Sequence, residues 1–246
     1  MPLALLLLFG AQFAFAQPPR ARITVELPPA LEAQRAEYER LIVSSRDEVV
    51  AWFGASGLPV KPFDVIDRAV VYPDAATSRR AMAQLFKIDI DKIPETFGGT
   101  VNAKTLYISS EETFHPMWTK LYPEWPWSRQ SYRSLIVHEL AHRTHARLSF
   151  VRTGSEDAMG PPWFFEGLAV MCAGQFAAGE KPMDAAEILS DVGEGRTPKA
   201  SYPHYGRLVR SLSRFASVKS LVEAAAEPGF PRKLLEASSN QEGMKK

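Results

Sequence analysis

The segment VHELAHRTH, residues 137–145, puts three histidines and a glutamate within nine positions. On a helix, His138 and His142 stand four residues and about 6 Å apart along one face, so both imidazoles can reach a single ion. Glu139 lies about 100° round from His138, beside that face, where it can reach a water on the ion without being a ligand. Two neutral imidazoles with an adjacent proton-accepting carboxylate are the chemistry of the H-E-x-x-H zinc pattern. His145 points within about 20° of His138, but seven residues of helix rise about 10.5 Å, beyond the reach of a shared ion. It is expected behind the site or simply in the packing.

The neighbours of these residues agree with a helix in the middle of a domain. Ile136, Val137, Leu140 and Ala141 occupy the sides away from the two histidines, as an apolar burying face requires. Ionisable groups on so apolar a helix need partners, and a cation supplies one. A catalytic zinc site takes a third protein ligand. The segment PPWFFEGLAVMCAG, residues 161–174, offers Glu166 one turn into a helix that is otherwise almost wholly apolar, where an unpaired carboxylate would be costly to bury. Gly167 and Ala169 are small, so this second helix is expected to approach the first closely.

Glu166 follows His142 after 23 intervening residues, inside Trp163-Phe164-Phe165-Glu166-Gly167-Leu168-Ala169. With His138-Glu139-Leu140-Ala141-His142, this pair of segments resembles the gluzincin metallopeptidases, the group containing thermolysin and the zinc aminopeptidases. The resemblance covers roughly residues 95–215. It implies one Zn²⁺ per chain held by His138, His142 and Glu166, with Glu139 as the base in peptide-bond hydrolysis. It also implies a two-lobed core and a peptide or protein substrate laid along a sheet-edge strand, for which Gly98, Gly99, Thr100 and Val101 of FGGTVNA are the candidates. The aminopeptidases of the group carry an oxyanion-steadying tyrosine ten residues before a leucine, a spacing that Tyr202 and Leu212 of YPHYGRLVRSL match; His204 and Tyr205 are rivals for that role. Two features depart from the group. FGGTVNA holds no glutamate of the kind that binds a free amino group in the aminopeptidases, and no carboxylate follows Glu166 one turn later to orient a ligand histidine.

The elements that must position these groups are legible in outline. Apolar spacing at Leu31, Tyr38, Leu41, Ile42, Val49 and Trp52 predicts a helix over about 30–53. FDVIDRAVVYPD reads as a strand, with Asp74 capping a helix through about Leu85. TFGGTVNAKTLYISS reads as two short strands around an Asn102-Ala103 turn. The stretch HPMWTKLYPEWPWSRQ, residues 115–130, has three tryptophans and three prolines, which predicts a loop over much of its length; it would serve as a lid on the core or as a wall of a cleft. From Ser131 onward five helices are expected, near 131–148, 161–177, 183–190, 203–215 and 217–226. Strands early and helices late predict an α+β fold, with a small N-terminal mixed sheet, a mainly helical C-terminal half and the zinc site in the cleft between them.

Residues 1–16 contain an apolar run from Leu3 to Ala16 that is too short to span a bilayer and ends in the small-x-small triplet Ala14-Phe15-Ala16. This reads as a signal peptide, with the mature chain starting at Gln17 and the protein secreted or periplasmic, without an integral span once the signal is removed. Residues 17–240 then form one catalytic domain, with an α/β lobe to about 130 and a helical lobe from about 131. The 29 Lys and Arg against 28 Asp and Glu supply no field to draw nucleic acid or anionic lipid. The one cysteine, Cys172, lies in the apolar GLAVMCAG and is expected to be a buried, unreactive thiol. Two other uses of the same residues stand open: a metal-binding scaffold without turnover, which would need the ligands but not Glu139, and a zinc amidase acting on cell-wall peptides.

Overall fold

The structure, a computed structural model, describes residues 22–192, 198 and 201–243; the expected signal segment 1–16 lies outside them. The chain runs through β1 (Thr24–Glu26), a 3₁₀ turn (Pro29–Gln34), α1 (Arg35–Ala55), α2 (Pro62–Val65), β2 (Arg68–Tyr72), α3 (Ala75–Phe86), a second 3₁₀ turn (Ile90–Lys92), β3 (Gly99–Asn102), β4 (Thr105–Ser109) and α4 (Glu111–Leu121). It continues with α5 (Arg129–Thr153), α6 (Pro162–Cys172), α7 (Ala185–Val192), α8 (Tyr202–Leu212), α9 (Val218–Ala224) and α10 (Arg232–Gly243). The α+β class and the small mixed sheet are as expected.

The four strands lie in the order β1-β2-β4-β3, parallel except for the antiparallel β3–β4 hairpin. Alternation sets the buried face: Ala69 and Val71 of β2 and Leu106 and Ile108 of β4 are each no more than 2% exposed, as period-two side chains on a covered sheet must be. The hairpin pairs Asn102 with Thr105, so the turn residues are Ala103 and Lys104, one position later than expected. Ala103 takes the left-handed backbone, φ 51°, that such a tight turn demands. Tyr132 Oη donates to Ser109 O at 2.8 Å, pinning α5 to the end of β4. Arg133 joins α5 to α1 by donating to Glu48 Oε2 from both Nε and Nη2, at 2.9 and 2.6 Å.

The stretch expected as a loop is half helical. α4 runs to Leu121 with Pro116 inside it, because Ser110 Oγ caps it by accepting from Thr113 N at 3.3 Å and because Phe114, Met117 and Trp118 bury one face. That packing outweighs the hydrogen bond that proline removes. Residues 122–128 are irregular, tied back by Trp118 Nε1 donating to Trp125 O at 2.8 Å. The strand read in FDVIDRAVVYPD begins only at Arg68, since Pro62 opens the short α2 instead. β1 and α10 carry too little periodic signal to be read from the sequence: one is three residues long, the other mostly polar.

One hydrophobic core runs from Ile23 through the sheet and α5 to Leu235. Its tightest seam is between α6 and α8. A Cβ on Gly167 would sit 2.3 Å from the Tyr205 carbonyl oxygen, and one on Gly206 would sit 2.4 Å from Val170 Cγ1. The small residue Gly167 thus serves contact with α8, not with α5 as expected from sequence. Among the described residues no helix is long and apolar enough to cross a membrane.

These contacts make glycine substitutions opposite in sign. Gly167→Ala forces α6 from α8 and is expected to cost about 1–3 kcal/mol. Gly54→Ala, in α1 with nothing within 4 Å of the added methyl, is expected to add about 0.5–1 kcal/mol by restricting the unfolded chain. Urea denaturation of the two variants beside the parent checks both signs.

Candidate active site

Helix α5 starts cleanly because Ser128 and Ser131 cap each other's end: the Ser128 amide donates to Ser131 Oγ at 3.1 Å in a reciprocal capping box. Ile136, Val137, Leu140 and Ala141 face the core at 0–1% exposure, and that orientation turns His138, Glu139 and His142 toward α6 and the sheet edge. Helix α6 begins at Pro162, where the missing amide costs nothing and φ is preset. This places Glu166 opposite the two histidines.

The donor atoms converge. His138 Nε2 and His142 Nε2 are 3.0 Å apart, and Glu166 Oε2 lies 3.3 Å from the first and 3.2 Å from the second. Zinc bonds of about 2.0–2.1 Å meeting at a tetrahedral angle hold donors about 3.3 Å apart. The triangle therefore fits Zn²⁺ in size and in donor type, two nitrogens and one oxygen. Among the described residues it is the one group of three or more His, Cys, Asp or Glu side chains clustered closely enough to hold a metal. Burial works to raise the Glu166 carboxyl, but hydrogen bonds from His138 and His142 outweigh it and hold the group down at about 2. Burial pushes Glu139 up to about 7, with attraction to His138 opposing and the Glu166 carboxylate adding to the rise.

The triangle forms the floor of a 430 Å³ cleft. One rim is the start of β3, where Gly99 and Thr100, with Gly98 just before them, line the cleft and a Cβ on Gly99 would stand 3.3 Å from Glu139 Cγ. The missing side chain at Gly99 lets this edge strand lie close against α5. Val101, the fourth residue expected there, is not part of the lining; its side chain packs against the core. An adjoining wall is aromatic, built from Phe114, Trp118 and Tyr122 with Phe176, whose ring stacks on Trp118 at 5.4 Å and 9°. The Trp- and Pro-rich stretch therefore supplies a wall.

Tyr202 sits in the lining with its ring 5.3 Å from that of His138. It is 41% exposed, and burial, then the carboxylates of Glu166 and Glu139, push its pKa well up. It stays a neutral donor. Its rivals point elsewhere: His204 Nε2 pairs with Asp191 Oδ2 at 2.7 Å, and Tyr205 is buried with its carbonyl against Gly167. Neither lines the cleft. His145 is 1% exposed beside Phe164, with no hydrogen-bond partner for either ring nitrogen among the described residues, and burial lowers its pKa to about 3. It is a neutral packing residue. Burial likewise pushes the Cys172 thiol up, out of the reactive range.

Two cleft residues escape sequence reasoning. Tyr122 lines the aromatic wall, its hydroxyl pushed up to about 12 by burial and then by Glu166. Gln175 lies beside the donor triangle, with Oε1 3.1 Å from His138 Nδ1. It is neutral and lies past the end of α6, so a search for a carboxylate one turn beyond Glu166 passes over it. No family model, curated protein or solved structure matches the chain.

The geometry predicts that His138→Ala, His142→Ala and Glu166→Ala each weaken zinc binding by more than the about 10–100-fold typical of outer partners. His145→Leu should bind as the parent does. Chelator-competition titration measures this, and equal weakening in the His145 variant would mean that it too reaches the ion.

Proposed function

We propose that this protein is a zinc-dependent metallopeptidase of gluzincin type, exported through its N-terminal signal segment and acting on peptides or proteins. The observation that carries the reading is the convergence of His138, His142 and Glu166 at the floor of a cleft, with Glu139 beside them and a sheet edge along the rim. A bound zinc ion would supply Lewis-acid activation of water and of the scissile carbonyl.

The remaining steps belong to the chain's own groups. An extended peptide adds along β3, satisfying the outward backbone groups of an edge strand. That pose sets its carbonyl next to Glu139, whose Cγ faces Gly99. Glu139 accepts a proton from the attacking water and delivers it to the departing amide nitrogen. Tyr202, a neutral hydroxyl on the same cleft, donates to the oxygen on which negative charge develops. The wall of Phe114, Trp118, Tyr122 and Phe176 suits a large apolar side chain of the substrate. Among the described residues the only carboxylates lining the cleft are Glu139 and Glu166, both already given roles at the metal and the water, so no further carboxylate is set to hold a free terminal amine, which favours cleavage within a chain. A scaffold that only binds metal would have no use for Glu139, and the full set of groups favours turnover.

Cleavage of a mixed peptide library, read by mass spectrometry with and without chelator, tests the proposal. Cuts should be chelator-sensitive and should fall next to large apolar residues. At matched zinc occupancy, Glu139→Gln should lower turnover by about 10²-fold or more. Tyr202→Phe should lose less, because a bound zinc ion would also stabilise the developing oxyanion. Full activity in Glu139→Gln would exclude this mechanism, and no cleavage by the parent would favour the scaffold reading.

A further inference from the structure

We infer that Gln175 is a positioning residue for the metal centre, its side-chain carbonyl holding His138 in the Nδ1–H tautomer so that the Nε2 lone pair faces the ion. The inference rests on the zinc-site reading above. His138 is 5% exposed and Gln175 8%, so both are largely withdrawn from bulk water. The imidazole has one nitrogen in the donor triangle and the other 3.1 Å from Gln175 Oε1. A carbonyl oxygen only accepts, which puts the proton on Nδ1. Metal-bound histidines are held in this way by an acceptor on the far nitrogen, usually a carboxylate, a backbone carbonyl or water. Here a neutral amide does it, adding no second negative charge to a site that already contains Glu166.

The side chain is held because its backbone is. After α6 the chain turns through Gly174, φ 62°, and Phe176, φ 57°. A left-handed phenylalanine is uncommon and persists only where its surroundings enforce it. They do so from both sides: Gln175 N donates to Val170 O at 3.1 Å, and Arg210 of α8 donates to Gln175 O and Phe176 O at 3.2 and 3.3 Å. Glu180 in turn holds the Arg210 guanidinium through its Nε and Nη2. One turn therefore aims two adjacent side chains, Gln175 at the metal ligand and Phe176 at the aromatic wall.

The test compares zinc dissociation constants of the full chain by chelator competition, with thermal melting of the metal-free proteins as the folding control. Gln175→Leu, which can neither donate nor accept, should bind zinc about 10–100-fold more weakly while melting close to the parent. Gln175→Glu, which when ionised only accepts, should bind at least as tightly as the parent. Should the leucine variant melt early, Gln175→Asn, one methylene short of His138, replaces it with the same expected weakening. Parent-like affinity in the truncated variant overturns the inference and leaves the zinc site standing. A Gln175→Glu variant as weak as Gln175→Leu overturns it as well, since the amide would then be donating. A parent that binds no zinc overturns the zinc-site reading and this inference with it.

Discussion

Two imidazole nitrogens and a carboxylate oxygen are brought to within 3.0–3.3 Å, on side chains at most 23% exposed. Their lone pairs converge on one point, and only a proton or a cation placed there makes the arrangement favourable. Holding such a triangle ready means that the helices carrying it cannot slide. Much of the local architecture can be understood as meeting that demand. The apolar faces of α5 lock its rotation, the Ser128–Ser131 cap fixes its start, and Tyr132 and Arg133 tie it to β4 and α1. Gly167 and Gly206 let α6 and α8 close to backbone contact, so Glu166 is supported from behind.

The same constraint explains where the cleft lies. Glycines at 98 and 99 bring the edge strand against α5 at Glu139, while a Cβ at Gly98 would stand 2.8 Å from the Phe114 ring of the aromatic wall. Strand, Glu139 and aromatic wall thus meet beside the donor triangle. The 174–176 turn joins the two halves of the site, since Gln175 reaches His138 and Phe176 reaches Trp118. A shift of α8 would move both through Arg210.

What could be read in the sequence follows physical lines. The spacing of His138, Glu139 and His142 is a local, helical property, and so is the apolar setting of Glu166; both are visible in a few residues. Asp74 as a cap and the five later helices are equally local. Pro116 misled because a proline inside a helix is a local penalty, whereas the burial of Phe114, Met117 and Trp118 that offsets it is tertiary. Gly167 misleads for the same reason: its size points to a close helix approach, but that the approaching helix is α8 and not α5 is a tertiary fact. Val101 was grouped with the cleft by sequence adjacency, but along β3 alternate side chains part company. Gln175 is the clearest case. It lies 37 residues from His138, carries no charge and belongs to no motif, so only the fold reveals it.

If His138, His142 and Glu166, and no sulfur, hold zinc, X-ray absorption at the zinc edge of the loaded protein should show two imidazole nitrogens and one or two oxygens at about 2.0–2.1 Å, in a four- or five-coordinate shell. A sulfur scatterer at about 2.3 Å would implicate Cys172, and a shell of oxygens alone would mean that the histidines do not bind. Either result would contradict the account.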